Sequence, residues 1–301
     1  MADLDPTTEN LRMAHLNICS LRHKIPDIHI FLECYKIHVL AVTETHLGIT
    51  VRNSELKIDN YKLYRKDGKK KNKGKRDRGG VALYVQDHIS KHIKKLFVSN
   101  LPNIDLIWAV INLPHTKPVF IGCCYISEKS DYKYLEGIKI SEKDRTERHI
   151  FLLGDFNKNW YLEKDRNNAE SFSKRCGLKQ VVNCPTRLEN CIDHIYTNIP
   201  ELYDSPWSVV TGCSDHNLVI VDVEKIKVPQ RISIRYPKPW WWDEDLIYLI
   251  KERDDVKRDL TIVKENKESD TKKAKSLRKK ILDKFKNINK KYFPQIQPED
   301  I

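Results

Sequence analysis

The residues best suited to chemistry follow an apolar run. Ile150 to Leu153 leads into Gly154, after which Asp155 and Asn157 lie two positions apart. Asp and Asn are common turn residues because their side chains bond the nearby backbone, so this pair alone usually marks only a turn. In open α/β sheets, ligands bind beyond the carboxyl ends of strands, where rigid strands hold polar loops. Deciding between a turn and a site requires partners elsewhere in the chain.

Other polar residues lie at the boundaries of other predicted strands. Each has a structural interpretation by itself: Asn17 could cap a helix, Glu44 could be a surface residue and His216 an ordinary buried histidine. Their joint occurrence at strand boundaries favours a shared site instead. The additional positions are Asn17, Glu44, Tyr125, Asp193, Asp215 and His216.

This set of residue types fits phosphodiester hydrolysis. Carboxylate and amide oxygens are the ligands of Mg²⁺, which bridges to phosphate. Hydrolysis needs an activated water and stabilisation of charge on the phosphoryl and leaving oxygens. A histidine held by an Asp can face the phosphate. Since adjacent strand residues point to opposite faces, Asp193 rather than Asp215 is predicted to orient His216.

At this point the sequence resembles a known family. The ordered motifs "HLNICSLRHKI", "TETHL", "RGGVALYV", "LLGDFN", "NCPTR" and "SDHNLV" resemble the endonuclease/exonuclease/phosphatase superfamily. The closer resemblance is to the apurinic-type endonuclease domain of non-LTR (LINE-type) retrotransposons of the Jockey and CR1-like lineages. It covers roughly residues 11–224. His46 stands where many relatives carry Trp, and Ser127 where Pro is common.

The resemblance implies a Mg²⁺-dependent nick in DNA, with Mn²⁺ as a substitute ion, leaving a 3′-hydroxyl and a 5′-phosphate. It implies that Glu44 is the main metal carboxylate, with Asn17 beside it and Asp215 near the metal or the leaving group. Asp155 then aligns and deprotonates the attacking water, while Asn157 holds that water and the phosphate.

The remaining implied roles concern the phosphate and the DNA. His216, paired with Asp193, contacts the scissile phosphate, and Tyr125 donates its hydroxyl to it. The residues expected to contact DNA are Arg22, Lys69, Lys70, Lys71, Thr186 and Ser214.

The charge of the chain points to a polyanionic partner. The 301 residues carry a net charge of +12, which favours nucleic acid over a membrane. Nine basic and two acidic residues lie in 65–78, and 16 basic and eight acidic residues lie in 251–293. Such runs are by default solvated surfaces, and the alternatives are phosphate contact or nuclear import. No apolar run approaches the roughly 18–20 residues that span a membrane, so no membrane partner is expected.

Many strands and few helices predict an α/β fold: a four-layer sandwich of two packed mixed sheets flanked by helices. Three helices are expected, over residues 20–36 with Ser20 as the cap, over 131–148, and around 169–178 with Gly177 near its end. The predicted organisation is a polar segment (1–10), the nuclease-like domain (11–224), a linker (225–241) and a charged, basic helical C-terminal extension (242–301).

The favoured function is a metal-dependent DNA endonuclease acting in the nucleus, with the cytoplasm as a further location. Double-stranded DNA is the expected substrate, and element RNA or a downstream reverse transcriptase is a further expected partner. Two alternatives stay open. One is a superfamily phosphatase or phosphodiesterase that acts on a small phosphorylated molecule. The other is a non-catalytic nucleic-acid-binding scaffold whose basic tail is the functional part.

Overall fold

The computed structural model describes residues 8–68, 79–99, 101, 103–127, 132–201 and 205–229. These residues all belong to one compact unit, Met1–Arg231. They contain strands β1 (Thr8–Asn17), β2 (Val39–Thr43), β3 (Tyr61–Lys66), β4 (Val81–Gln86), β5 (Ile93–Val98), β6 (Ile104–Ile111), β7 (Val119–Ile126), β8 (His149–Asp155), β9 (Lys179–Gln180), β10 (Asp193–Thr197), β11 (Trp207–Val209) and β12 (Leu218–Pro229).

The strands form two six-stranded mixed sheets, as predicted. The first has the order β11-β12-β1-β2-β4-β3 and the second β5-β6-β7-β8-β10-β9. Each sheet has one parallel pair, β1 with β2 in the first and β7 with β8 in the second. The carboxyl ends of the two strands in a parallel pair lie at the same sheet edge, so each pair brings two strand-end loops together.

Four α-helices lie in the described residues: α1 (Ile25–Cys34), α2 (Asp87–Ser90), α3 (Glu142–Glu147) and α4 (Glu163–Cys176). Pro26 lies in the first turn of α1, where its fixed φ and missing N–H are tolerated. Gly177 ends α4 in the left-handed region at φ +63°, which a residue without a Cβ adopts readily. None of the helices in the described residues is long and apolar enough to cross a membrane.

Three apolar layers hold the sandwich together. The middle layer lies between the sheets and includes Leu11 and Met13 of β1. One outer layer packs α1 against the first sheet, and the other packs α4 against the second sheet. Because side chains alternate along a strand, Leu16 of β1 faces α1 while Met13 faces the opposite sheet. The observed layers are therefore helix, sheet, sheet and helix.

Two boundary predictions were wrong. Ser20 is not the cap of α1: the helix begins after Lys24, without a side-chain cap. Ser20 instead has φ +88°, and its N–H donates to the Glu44 carbonyl at 2.8 Å. The predicted helix over 131–148 is a 3-10 turn, Tyr132–Gly137, followed by the short α3.

Strands β1 and β12 extend beyond the predicted domain bounds of 11–224. Thr8 of β1 pairs with Pro229 of β12, so residues 8–10 and 225–229 are strand and not a polar segment and a linker. The rest of the linker and the basic helical extension lie outside the described residues, as do Lys69, Lys70 and Lys71.

Candidate active site

A row of polar side chains lies at one end of the inter-sheet core. Strands β7, β8 and β10 place Tyr125 beside Asp155, and Asp155 beside Asp193, in neighbouring register positions. Each lies two positions along its strand from a residue of the inter-sheet core. The alternation that makes the core apolar therefore turns these three residues toward the opposite sheet.

Asn17 connects the two sheets at this row. Its Nδ2 donates to Asp155 Oδ2 at 2.7 Å and to Glu44 Oε1 at 3.1 Å. Asn17 and Asp155 are fully buried, whereas the side chain of Glu44 is 20% exposed. The structure thus brings the predicted metal carboxylate next to the predicted water-activating carboxylate, with Glu44 nearer to solvent.

Asn157 is fixed by the same carboxylate. Its backbone N–H donates to Asp155 Oδ1 at 2.8 Å, and its Nδ2 donates to Asp155 Oδ2 at 3.2 Å. Nδ2 also donates to the Ile126 carbonyl at 2.8 Å. Phe156 between them is fully buried and packs in the outer layer beside α4. The spacing of Asp155 and Asn157 therefore forms a tight polar turn around a core phenylalanine.

Asp193 holds His216, as the strand alternation predicted. Asp193 Oδ2 lies 2.8 Å from His216 Nδ1, and both side chains are buried. Thr186 was predicted to contact DNA, but its side chain is fully buried. Its hydroxyl oxygen instead accepts the backbone N–H groups of Ile192 and Asp193, each at 3.0 Å. Thr186 therefore positions the backbone at Asp193, and its contact with DNA stays a prediction.

Asp215 has a partner that the sequence did not indicate. Arg187 Nη2 lies 2.6 Å from Asp215 Oδ2, and Arg187 Nε donates to the same oxygen at 2.9 Å. Cys19 Sγ lies 3.2 Å from Asp215 Oδ1. Arg187 follows Thr186 in the short turn 186–190, which is closed by backbone bonds to Asn190. The signal was available in the motif "CPTR", where the Arg directly follows a residue already singled out.

The other predicted DNA contacts have different surroundings. Arg22 is half-exposed and forms an ion pair with Glu55 at 2.6 Å. The Ser214 hydroxyl donates to the Asn17 carbonyl at 2.6 Å and accepts the His216 N–H at 3.2 Å. Ser214 thus joins the loop before β12 to the end of β1.

Backbone hydrogen bonds hold the loop that carries Glu44 against the two glycines that precede β4. Glu44 and His46 have φ values of +49° and +50°, and backbone bonds run from Thr45 and His46 to the carbonyls of Gly80 and Gly79. His46 Nε2 lies 3.2 Å from Glu44 Oε2. The Tyr125 hydroxyl also bonds Glu44. Left-handed backbone at a non-glycine residue is strained, and such strain is concentrated at functional sites.

The pKa values of the two central carboxylates, Asp155 and Asp193, are shifted in opposite directions. Burial and the neighbouring charge of Asp193 raise the pKa of Asp155 to about 7. Burial would lower the pKa of His216, but the Asp193 carboxylate outweighs it and raises that pKa to about 9. Burial also opposes ionisation of Asp193, whose pKa is nevertheless lowered by His216. At neutral pH the pair is therefore an imidazolium held by a carboxylate.

The described residues offer two alternative sets of ligand atoms for a divalent cation. Asp155, Asp193 and His216 offer ligand atoms within 4.8 Å of one another, which differs from the predicted set of Glu44, Asn17 and Asp215. The charged His216 is a poor metal ligand, because its nitrogens carry protons. Glu44 is an oxygen ligand of the kind that Mg²⁺ prefers and is open to solvent. We therefore favour Glu44 as the metal carboxylate.

The chain's sequence and fold assign it to a family. The family model described as "Endonuclease/Exonuclease/phosphatase family" matches residues 11–216. The chain therefore belongs to the endonuclease/exonuclease/phosphatase family, whose members are hydrolytic nucleases and phosphatases. No curated protein matches the sequence significantly.

Solved structures share the fold at low sequence identity. The endonuclease domain of TRAS1, a telomere-specific non-LTR retrotransposon, has a TM-score of 0.53 and 14% identity, with 72% of this chain and 99% of that chain covered. The AP endonuclease LMAP from Leishmania major has a TM-score of 0.58 and 13% identity, with 75% and 90% covered. The 3′ phosphatase NExo from Neisseria, bound to a product DNA hairpin, has a TM-score of 0.54 and 16% identity, with 71% and 99% covered.

Proposed function

We propose that this protein is a Mg²⁺-dependent DNA endonuclease that nicks its target by phosphodiester hydrolysis and leaves a 3′-hydroxyl, as the endonuclease domain of a non-LTR retrotransposon does. The observation that carries the proposal is the joining of Asp155 and the Asp193–His216 pair to Glu44 through one asparagine, Asn17. This arrangement supplies a base and a cationic donor at one site.

Asp155 is the group that takes the proton of the attacking water. Its pKa of about 7 lies near the operating pH, where a general base is both ionised and basic enough to act. The Asn17 and Asn157 amides donate to this carboxylate and fix its direction. The attacking water is therefore aligned by a carboxylate that cannot rotate.

The developing charge on the phosphoryl oxygens is stabilised by His216 and Tyr125. Asp193 occupies Nδ1 of His216, which leaves Nε2–H of the imidazolium to donate to a phosphate oxygen. A Mg²⁺ ion bound at Glu44, with Asn17 beside it and Asp215 nearby, would polarise the phosphate and assist departure of the leaving oxygen. Mn²⁺ carries the same oxygen ligands and is expected to substitute.

Nucleic acid is the substrate favoured by charge. The chain carries a net charge of +12, and Arg187 places a guanidinium beside Asp215. Guanidinium groups bind phosphate through two N–H donors. TRAS1 comes from a retrotransposon and NExo is bound to DNA, and both share this fold. We propose double-stranded DNA as the substrate, the nucleus as the location, and element RNA or a reverse transcriptase as further partners.

The test measures the substrate class and the chemistry of the product ends together. The full chain is incubated with supercoiled plasmid in Mg²⁺ or in EDTA, and the nicked circles are offered to a DNA polymerase. Nicks that form only with Mg²⁺ and are extended without end repair support the proposal. Hydrolysis of a small phosphate monoester without any plasmid nicking would show a phosphatase instead. If folded protein hydrolysed neither substrate, the scaffold alternative would replace the proposal.

A further inference from the structure

His15 is a buried histidine that the proposed chemistry does not use. It lies on β1, two positions before Asn17, on the face that packs against the second sheet. Its side chain is fully buried. In the sequence it lies within the apolar run "LRMAHLNI", which does not indicate which residue the imidazole contacts.

The imidazole of His15 crosses from the first sheet to the second. Its Nδ1 lies 3.4 Å from Asp193 Oδ1, the oxygen that His216 does not occupy. Its Nε2 lies 3.1 Å from the Thr43 hydroxyl on β2. Asp193, on β10 of the second sheet, therefore lies between two histidines of the first sheet's side, His15 on β1 and His216 in the loop before β12.

Neither facing atom, His15 Nδ1 or Asp193 Oδ1, makes a hydrogen bond among the described residues, although the Thr186 hydroxyl also interacts with the Asp193 carboxylate. Both atoms are buried. Buried polar groups are nearly always paired, because an unpaired one loses its bonds to water. At 3.4 Å the two atoms face each other without forming a hydrogen bond, and a straighter approach to about 2.9 Å would form an ordinary N–H···O bond.

The tautomer of His15 follows from its neighbours. His15 is fully buried, and a neutral imidazole carries a single N–H, on either Nδ1 or Nε2. The Thr43 hydroxyl can donate to Nε2, which leaves the proton on Nδ1 facing Asp193. The other tautomer would place a lone pair against a carboxylate oxygen.

We propose that His15 is a positioning residue for Asp193: its Nδ1–H holds one carboxylate oxygen so that the other is directed at His216. This inference rests on the proposed function, since it concerns how the phosphate-facing histidine is oriented. It adds a second link between the sheets, beside the bond that already joins Asp193 on β10 to His216 before β12. Because His15 is buried, it acts on the rate of hydrolysis and not on DNA binding.

The test compares three substitutions of His15 in the full chain. His15→Ala removes the donor, His15→Asn keeps a donor near the position of Nδ1, and His15→Gln keeps one near Nε2. We expect kcat for plasmid nicking to fall about tenfold in His15→Ala with KM within twofold, in the range of partners that orient active-site ligands. His15→Asn should restore most of the rate, and His15→Gln should not.

A second readout is independent of catalysis. The Nδ1 proton of His216 gives a downfield NMR resonance that reports on its bond to Asp193. We expect this resonance to shift in His15→Ala, even if the wild type nicks no DNA. A wild type without activity would therefore refute the proposed function, whereas an unmoved resonance in folded His15→Ala would refute the role of His15.

His194 provides the matched control. It is also buried and adjoins Asp193 in sequence, but its ring bonds Tyr196 and the Cys191 carbonyl. His194→Ala should lower the melting temperature. The His216 resonance and the kcat and KM for plasmid nicking should stay close to those of the wild type. Equal effects of His194→Ala and His15→Ala on kcat and on the resonance would show general loosening of the core and overturn the proposal.

Discussion

At the scale of residues, two buried carboxylates of similar burial have opposite tendencies. Asp155 and Asp193 are both at most 1% exposed, yet the pKa of Asp155 is raised and that of Asp193 is lowered. The difference arises because Asp193 bonds the cationic His216, whereas Asp155 bonds neutral asparagine amides. Neighbouring acids whose pKa values are pushed apart can serve as base and as electrostatic partner.

Replacing Asp155 should separate activity from stability. Asp155→Asn removes the proton acceptor, so the single-turnover nicking rate should fall on the order of 10²-fold or more. At pH 8 in EDTA the same change removes a buried negative charge beside Asp193, and this gain should exceed the cost of turning an amide NH2 toward a hydrogen-bond donor, so the melting temperature should rise. The exposed Asp59 is the control, and Asp59→Asn should leave both quantities unchanged. A nicking rate near that of the wild type, or a lower melting temperature, would contradict this assignment.

His216 should make the stability of the metal-free protein depend on alkaline pH. Its folded pKa, about 9, lies above the ordinary value of 6.5. The stabilisation is therefore fully present below about pH 6.5 and is lost as the pH rises through about 9. Asp155, with a pKa of about 7, is largely ionised by pH 8, so the loss between pH 8 and 9 reports on His216.

The measurement is urea unfolding of the EDTA-treated protein at several pH values. His216→Gln cannot carry the charge, so its free energy of unfolding should be nearly flat over this interval. An equal decline in wild type and His216→Gln would assign the pH dependence to another group.

Arg187 should contribute one phosphate contact. Its side chain is 42% exposed beside Asp215. Arg187→Ala should weaken DNA binding and reduce the slope of log K against log salt by about one. Arg148→Ala is a matched control, since Arg148 pairs with Asp144 on α3, next to the other end of β8. Titrations by fluorescence anisotropy in EDTA at several salt concentrations would measure the slope of log K against log salt for each variant. Equal slopes for Arg187→Ala and Arg148→Ala would remove Arg187 from the DNA surface.

At the scale of elements, the next-to-last residue of β8 is the glycine Gly154 for a steric reason. A Cβ on Gly154 would lie 1.8 Å from the Cys124 carbonyl oxygen of the neighbouring strand β7. The close approach of β7 and β8 places Tyr125 beside Asp155. Glycine within a strand commonly marks such a contact between backbones.

Gly154→Ala should therefore destabilise the sheet beneath the site. Since the clash is with backbone, which cannot rotate away, we expect a loss on the order of 3 kcal/mol in the free energy of unfolding. Gly177→Ala, at the end of α4, is the comparison and should cost about 1 kcal/mol from its left-handed conformation. Chemical denaturation measures both, and a smaller loss for Gly154→Ala than for Gly177→Ala would contradict the steric explanation.

The sequence could predict those elements whose pattern is strong. Buried strands such as β8 are continuous apolar runs, and their polar ends indicated the site. The edge strand β5 was missed because most of its side chains are exposed. His15 and Arg187 were missed for another reason, since their partners, Asp193 and Asp215, are brought near only by the tertiary fold. Strand alternation still predicted the Asp193–His216 pair.

At the scale of the whole molecule, the site exists only where the two sheets meet. Asn17 and Glu44 come from the first sheet, and Asp155 and Asp193 come from the second. Neither sheet alone presents both the proposed metal carboxylate, Glu44, and the proposed base, Asp155. The basic residues of 251–293 lie outside the described part of the chain and are proposed only to add electrostatic attraction for DNA.

The most direct test is a double-mutant cycle across the sheets, measured as single-turnover plasmid nicking in Mg²⁺. Glu44→Gln alters the first sheet and Asp155→Asn the second, and each should slow nicking on the order of 10²-fold or more. Because both belong to one centre, the double variant should be little slower than the slower single variant. Rate losses that multiply, or wild-type nicking that persists in EDTA, would contradict a single metal-dependent centre shared by the two sheets.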